Sequence, residues 1–499
     1  MVERDVTELS DAHDPSSRPY LGDGVNSLGF LIGVLGLFIA CFAIYWPIRD
    51  TFFILDDFAW FNAASNDSTQ DYFRRAFSFP DHTPFEQATP FWRPFIDLYF
   101  FVGWRVFELD PTPWHVTNIV IHSLNAILLA ILIAQLTRSR VTGILAALLF
   151  TALPTYDLAV SWISSATELL AATFYLLTLV CYASFLTSDR PRDRRAYYIA
   201  AFAALLFALL TKESTMSTVL ALGIVTFVVG QSRATMRDFF RQVWALAPFA
   251  VLTGAYVLFL YVNEYRAGEG AGLYKLGWHA FANGWHYVRW MCFPYMQQES
   301  WADGIRTIGA GAFLVITATS LLSRNRLVAG LCALSVVALS PYVFFEGVIS
   351  PRYTYVASGF FSGLVVVIVV HAATRVAPRS VPVRWAITVA AVAFLTALAA
   401  TQARDRQLGI ENQAFLYGNL FHEVPALCGE LPPRSSIYIL DSPVRDTNGN
   451  RKRAAMNVAY DDVYVPRVGA AGLPAGAADA EHVCIVEYRS DTRHYHRVE

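Results

Sequence analysis

Charge is scarce in this chain of 499 residues: 16% is Asp, Glu, Lys or Arg, against 55% hydrophobic residues. Soluble domains carry about 25% charged residues, so the shortage excludes a string of soluble domains and points to a polytopic membrane protein. Lysine is scarcer still, present only as Lys212, Lys275 and Lys452. With the abundance of alanine, this reads as the coding bias of a GC-rich bacterial genome. The six cysteines include no CxxC or other metal-ligand spacing. No phosphate-cradling glycine loop, dinucleotide fingerprint or G-x-S-x-G stretch is present, and no repeat period runs along the chain. A net charge of −2 offers nothing to a nucleic acid, so none is expected as a partner.

What the chain has instead is long apolar runs. A bilayer span needs about 20 mostly apolar residues. Candidates lie near 28–48, 114–136, 141–157, 166–187, 196–211, 214–230, 243–262, 305–322, 327–345, 355–374 and 384–401, about eleven in all. Arginines cluster in alternate connections: Arg138/Arg140, Arg190 to Arg195, Arg233/Arg237/Arg241, Arg324/Arg326 and Arg375/Arg379/Arg384. Basic residues mark cytoplasmic loops. The tail 1–27 is therefore expected in the cytoplasm and the C-terminal segment outside. No small-residue cleavage site follows the first run, which reads as an anchor rather than a signal peptide. The fold class is an α-helical polytopic membrane protein with a transmembrane domain over 28–404.

Three outer pieces are too long to be turns. The first, 49–113, contains Asp71-Tyr-Phe-Arg-Arg-Ala-Phe and Arg93-Pro-Phe-Ile-Asp-Leu-Tyr-Phe-Phe, whose periodicity predicts surface helices. The second, 263–304, opens on a glycine-rich mobile stretch at 267–273. It continues with Trp278, His279, Trp285, His286, Tyr287 and Trp290, as in an interfacial or re-entrant helix. The third, 405–499, predicts a helix over 406–424, short strands at 436–441, 458–465 and 482–488, and together a small extracytoplasmic α/β domain. Cys428 and Cys484 both fall in it, either as a disulfide or as two separate thiols.

The candidate site begins where the first span ends, at Phe53-Ile-Leu-Asp-Asp-Phe-Ala-Trp-Phe-Asn62. Asp56 and Asp57 are carboxylates set among aromatics beside the bilayer, where ionisable groups are costly and usually functional. They suit a general base with an orienting or cation-holding partner; a solvated acidic pair is the bland alternative. Arg93, Lys212 and Arg352 break the arginine pattern as outer-face cations able to hold an anion, or they snorkel to headgroups. His115, Asn118 and His122, spaced i, i+3, i+7, share a helix face and suit packing or substrate contact better than metal. Glu168 and Glu213 open the outer ends of spans. They could take hydroxyls, or Glu213 could pair with Lys212.

In chain order, Asp56-Asp57 with Asn62, Trp92-Arg-Pro94, His115-Val-Thr-Asn-Ile-Val-Ile-His122, Leu210-Thr-Lys-Glu-Ser214 and Arg352-Tyr-Thr-Tyr-Val-Ala-Ser358 resemble the motifs of GT-C membrane glycosyltransferases, nearest to the tetratricopeptide-containing O-mannosyltransferase type and its bacterial relatives. The chain departs from that type at Ala166, where an Arg is usual, and at Tyr156, where a His is usual. It also has 405–499 in place of the repeats. The resemblance implies a polyprenyl-phosphate sugar donor, an outer-face site and inversion at the anomeric carbon. Asp56 and Asp57 become the catalytic pair, and Arg352, Lys212, Arg93, Tyr353 and Tyr355 the lipid-phosphate and donor contacts. His115, Asn118, His122, Glu168 and Glu213 become substrate or structural contacts. The acceptor would be a glycan, lipid or protein hydroxyl, and the location the bacterial plasma membrane. No cofactor is called for, although a divalent cation at the acidic pair is compatible with the motifs. The competing readings are a lipid-linked-sugar flippase and a non-catalytic membrane scaffold.

Overall fold

A computed structural model of the chain describes residues 26–66, 68–78, 92–230, 236–266, 274–293, 300–347, 349–444, 450–460, 463–466 and 482–498. Backbone polar groups within a bilayer must be satisfied inside the segment, and long apolar helices dominate accordingly. In chain order they are α1 (Ser27–Tyr45), α2 (Asp57–Asn66), α3 (Thr69–Phe77), α4 (Pro94–Phe107), α5 (Pro111–Thr137), α6 (Arg140–Thr151), α7 (Asp157–Ser161), α8 (Ala166–Thr187), α9 (Pro191–Thr211), α10 (Thr218–Val229), α11 (Met236–Arg266), α12 (His279–Cys292), α13 (Ser300–Leu322), α14 (Arg326–Val343), α15 (Tyr355–Val376), α16 (Val381–Cys428) and α17 (Asn450–Ala459).

Among the described residues, nine helices are long and apolar enough to cross a membrane, and α6 with the Pro154–Ser161 stretch forms a tenth bent by 47°. Pro154 has no N–H to continue α6. The eleventh expected run is Glu213–Val229, a 3-10 turn followed by the 12-residue α10. Its polar start, Glu213-Ser-Thr, forms the turn instead of helix.

The helices alternate as hairpins. At one set of ends, Ser139, Asn325 and Ser380 cap α6, α14 and α16 by accepting from backbone amides of the first turn. The arginines of the alternating pattern flank these caps. The opposite ends carry the outer pieces. The main core packs α5, α6, α8 and α15. Gly143 lets α5 and α6 close up, since a Cβ there would stand 2.3 Å from the Ala130 carbonyl oxygen.

Both expected surface helices of the first outer piece form, as α3 and α4. In the second piece, α12 has 14 residues, about 21 Å of helix and too short to span. Asn283 ties its inner face to the carbonyls of Val343 and Phe345, while Trp278 and Phe281 are exposed. The glycine-rich stretch 267–273 and nearly all of the 1–27 tail lie outside the described residues.

The third piece differs from expectation in two ways. First, α16 runs unbroken for 48 residues, so a division at 404/405 falls inside one helix. Second, the sheet is β1 (Ser436–Leu440) parallel to β2 (Val483–Arg489), with β3 (His494–Arg497) antiparallel on the far side of β2. The described residues of 458–465 form no strand, and 461–462 lie outside them. There, α17 continues to Ala459 because Ala454, Ala455 and Met456 supply a buried helix face, and only Tyr464 bridges to Ser436. β3 escapes sequence reading because Tyr495 is its one buried residue.

This piece shares its core with the first. Phe53, Phe58, Phe61 and Trp114 belong to one cluster with Tyr417, Phe421, Ile437, Met456 and Val486. Cys428 at the end of α16 is disulfide-bonded to Cys484 in β2. Cys428→Ser is expected to cost about 2–4 kcal/mol, read as a lower thermal unfolding temperature of the protein in detergent. Peptide mapping without reduction should recover the two cysteine peptides joined, and two free thiols would contradict the structure.

Candidate functional site

The charged residues predicted from widely separated motifs meet at the non-arginine ends of the helices. Leu55 sets the geometry. Its φ of +53° is a left-handed conformation that a branched side chain adopts only under constraint. Beyond this turn, the two neighbouring aspartates have different environments. Asp57 is 1% exposed and accepts from the Ile54 amide at 2.9 Å, the Ser164 amide at 2.7 Å and the Ser164 hydroxyl. Burial pushes its carboxyl up to about 7, while these donors pull the other way. Asp57 therefore ties the start of α2 to the loop before α8. Asp56 remains part-exposed, and its Oδ1 accepts from Arg451 Nε at 2.9 Å.

Two buried ion pairs form beneath this mouth. Arg93 is bidentate to Glu213, at 2.8 and 2.7 Å, and Tyr274 also reaches Glu213. Lys212 pairs with Glu168, whose other oxygen accepts from the Tyr342 hydroxyl at 2.9 Å. The pairing differs from the neighbour pair Lys212–Glu213: the chain turns at Lys212, and its side chain reaches α8.

Arg352 is different. Its guanidinium lies over the Trp162 ring at 4.6 Å and the Tyr353 ring at 5.1 Å and donates to the Tyr353 hydroxyl. Among the described residues no carboxylate pairs with it, and its buried Nε has no hydrogen-bond partner. Asp56 and Glu168 are the acidic groups in its electrostatic surroundings. Tyr353 stacks on Tyr342 with ring centroids 4.6 Å apart, and Lys212 lies over both rings. The Lys212–Glu168–Tyr342 network thus supports Arg352 from below.

The remaining predicted residues lie in the packing. His115 contacts the Thr51 carbonyl at 2.9 Å, and Asn118 donates to the Val160 and Trp162 carbonyls. His122 lies deeper, between the Tyr355 hydroxyl and the Thr151 carbonyl. Tyr355 is therefore a core residue, and its hydroxyl also accepts from Asn125. Among the described residues, no three His, Cys, Asp or Glu side chains come together to hold a metal ion. Asp57 is engaged by Ile54 and Ser164, and Asp56 by Arg451.

Sequence reasoning missed Ser164, Tyr342 and Arg451. For Arg451 a signal was present: Arg451-Lys-Arg453 is a basic triplet in a segment otherwise read as outside, so it breaks the same arginine pattern that singled out Arg352.

The chain is similar in structure to ArnT from Cupriavidus metallidurans. The apo structure covers 93% of this chain and 94% of its own, with 14% identity and a TM-score of 0.49. The structure of that protein bound to undecaprenyl phosphate gives 13% and 0.44, covering 94% of each chain. The Archaeoglobus fulgidus oligosaccharyltransferase AglB, in complex with an inhibitory peptide and a dolichol-phosphate, gives 13% and 0.47; 87% of this chain is covered and 64% of the archaeal one. Neither is the tetratricopeptide-containing type anticipated from the motifs. No family model and no curated protein matches the sequence.

Replacing Asp57 by Ala would leave the Ile54 and Ser164 amides unsatisfied, and Glu213→Ala would take from the buried Arg93 guanidinium the carboxylate that it meets with two hydrogen bonds. We expect losses of about 2–4 and about 3–5 kcal/mol respectively, measured as lower unfolding temperatures in detergent. A wild-type unfolding temperature in both variants would refute these structural roles.

Proposed function

We propose that the protein is a membrane glycosyltransferase that moves a sugar from a polyprenyl-phosphate donor to an acceptor hydroxyl outside the cytoplasm, with inversion at the anomeric carbon. The observation that carries this reading is the contrast among the cations. Lys212 and Arg93 are neutralised by Glu168 and Glu213, whereas among the described residues no carboxylate pairs with Arg352, and the part-exposed Asp56 lies in its electrostatic surroundings. One base and one available cation at the bilayer edge are what a displacement from a lipid phosphate requires. The motif order seen in the sequence supports the same reading.

In this reaction Asp56 takes the proton from the acceptor O–H. The freed oxygen bonds to C1 of the sugar, and the bond from C1 to the phosphate oxygen breaks. The electron pair departs on the phosphate, toward Arg352. Asp57 takes no part in proton transfer; it holds Asp56 in place through Ser164. The acceptor is a glycan, lipid or protein hydroxyl. Orientation follows the arginines, with the N-terminus in the cytoplasm of a bacterial cell and 405–499 outside.

Asp56→Asn keeps the shape of the side chain but cannot take the proton. Turnover is expected to fall about 10²–10⁴-fold without loss of donor binding. Arg352→Ala should weaken donor affinity and turnover together. Sugar release from a polyprenyl-phosphate donor by the protein in nanodiscs measures both, and near-wild-type turnover of Asp56→Asn would end the assignment. That result would leave a flippase or a scaffold as the reading to pursue. For orientation, single cysteines at Ser323 and Thr492 should differ toward an impermeant thiol reagent in whole cells, with only Thr492→Cys labelled. Labelling of both, or the reverse, refutes the orientation.

A further inference from the structure

One side chain touches both halves of the site. Trp162 is an extended residue between α7 and the 3-10 turn Ile163–Ser165, and it is buried. Its indole Nε1–H donates to the Ile54 carbonyl at 3.2 Å. The face of the same ring carries the Arg352 guanidinium at 4.6 Å. Ile54 stands two residues before Asp56. Its amide donates to the Asp57 carboxylate, and its carbonyl also accepts from the Asp57 amide. Asp57 in turn accepts from the Ser164 amide and hydroxyl. The left-handed Leu55 is thus bracketed by two residues that one loop, 162–164, holds in place. A strained backbone persists only where its surroundings over-determine it. The loop is itself anchored: the Trp162 amide donates to the Leu158 carbonyl, and the Trp162 carbonyl accepts from Asn118 and from the Ser165 amide.

We propose that Trp162 is a positioning residue that sets the separation between Asp56 and Arg352, the base and the phosphate-binding cation. This rests on the reaction proposed above. In that reaction the acceptor oxygen reaches C1 from the Asp56 side while the bond to the phosphate breaks on the Arg352 side. The two groups must therefore stand a fixed distance apart across the sugar, and a misplacement of about 1 Å can cost about 100-fold in rate. An indole is suited to this task. Its N–H lies in the ring plane and its π cloud above it, so the contacts to Ile54 and Arg352 leave the ring in different directions. A rigid bicyclic ring cannot move toward one partner without moving relative to the other. Phenylalanine has the face but no donor at the edge. A ring face also holds a guanidinium without cancelling its charge, which a carboxylate in the same place would do.

The test is a pair of double-mutant cycles on the full-length protein in nanodiscs. One reads binding of undecaprenyl phosphate, the other kcat for sugar transfer from a polyprenyl-phosphate donor. Trp162→Leu removes the ring face under Arg352. It should weaken undecaprenyl phosphate about tenfold, and the loss should vanish in an Arg352→Ala background. Trp162→Phe keeps an aromatic face and loses the N–H. It should bind undecaprenyl phosphate within about threefold of wild type while kcat falls about 10–100-fold, and that fall should vanish in an Asp56→Asn background. A merely structural tryptophan would give losses that do not depend on Arg352 or Asp56. The proposal is overturned if Trp162→Leu binds as wild type while Arg352→Ala binds weakly, if its loss is the same with and without Arg352, or if Trp162→Phe keeps the wild-type kcat. The Trp162→Phe arm keeps the test decisive should Trp162→Leu fail to fold. A wild-type protein that transfers no sugar refutes the proposed reaction instead. An Arg352-dependent loss of binding in Trp162→Leu would then still leave Trp162 as the support of Arg352.

Discussion

A cation taken out of water needs a carboxylate, and this requirement organises the charged end of the molecule. Neither buried pair is local in sequence: Arg93 finds Glu213 across 120 residues, and Lys212 finds Glu168 across 44. Each pair joins a segment of the outer face to a different helix end, so α4, α8, α9 and α14 are fixed relative to one another by charge as well as by packing. Such pairs need not add net stability over an apolar substitute, but losing one member is costly. That asymmetry makes the arrangement exclusive. With Glu168 and Glu213 engaged, Arg352 rests, among the described residues, on the Trp162 and Tyr353 ring faces.

The two aspartates show how adjacent, identical side chains acquire separate tasks. A single left-handed residue, Leu55, turns the backbone between the end of α1 and the start of α2. One carboxylate then faces the backbone of the Ser164 loop, and the other meets Arg451 of α17. The outer loop cannot hold this turn alone. Phe53, Phe58 and Phe61 pack into the same cluster as Tyr417, Phe421 and the β-sheet, so the C-terminal segment serves as the lid of the first loop's core.

Much of the architecture was legible in the sequence, because apolar runs and the arginine pattern report directly on bilayer physics. The spans, the surface helices α3 and α4, and the gathering of Asp56, Arg93, Glu168, Lys212, Glu213 and Arg352 on one face all follow from it. Pairing was not legible. Side-chain reach across a turn decided that Lys212 meets Glu168 instead of its neighbour, and no local pattern encodes that choice. His115, Asn118 and His122 share a helix face, as packing or substrate contacts would, and no local pattern names their partners, which are the Thr51, Val160, Trp162 and Thr151 carbonyls and the Tyr99 and Tyr355 hydroxyls. β3 was invisible for a related reason: an edge strand with one buried residue has no alternation to detect. The missing span-length helix at 214–230 reflects competition between an apolar run and a polar turn at its head, which hydropathy alone does not weigh.

The length of α16 has a geometric consequence. Forty-eight residues in one helix make a rod of about 72 Å, of which about 30 Å is needed to cross the hydrocarbon core. The same rod that is embedded in the bilayer therefore carries the sheet and, through it, α17. In a continuous helix every residue advances the phase by about 100°. One residue gained or lost in its outer half would swing the attached sheet around the axis and carry Arg451 away from Asp56, with no change in any residue near the site. The register of a distant helix is thus part of the specification of the site, and in this chain a length change in α16 is equivalent to a substitution at the mouth.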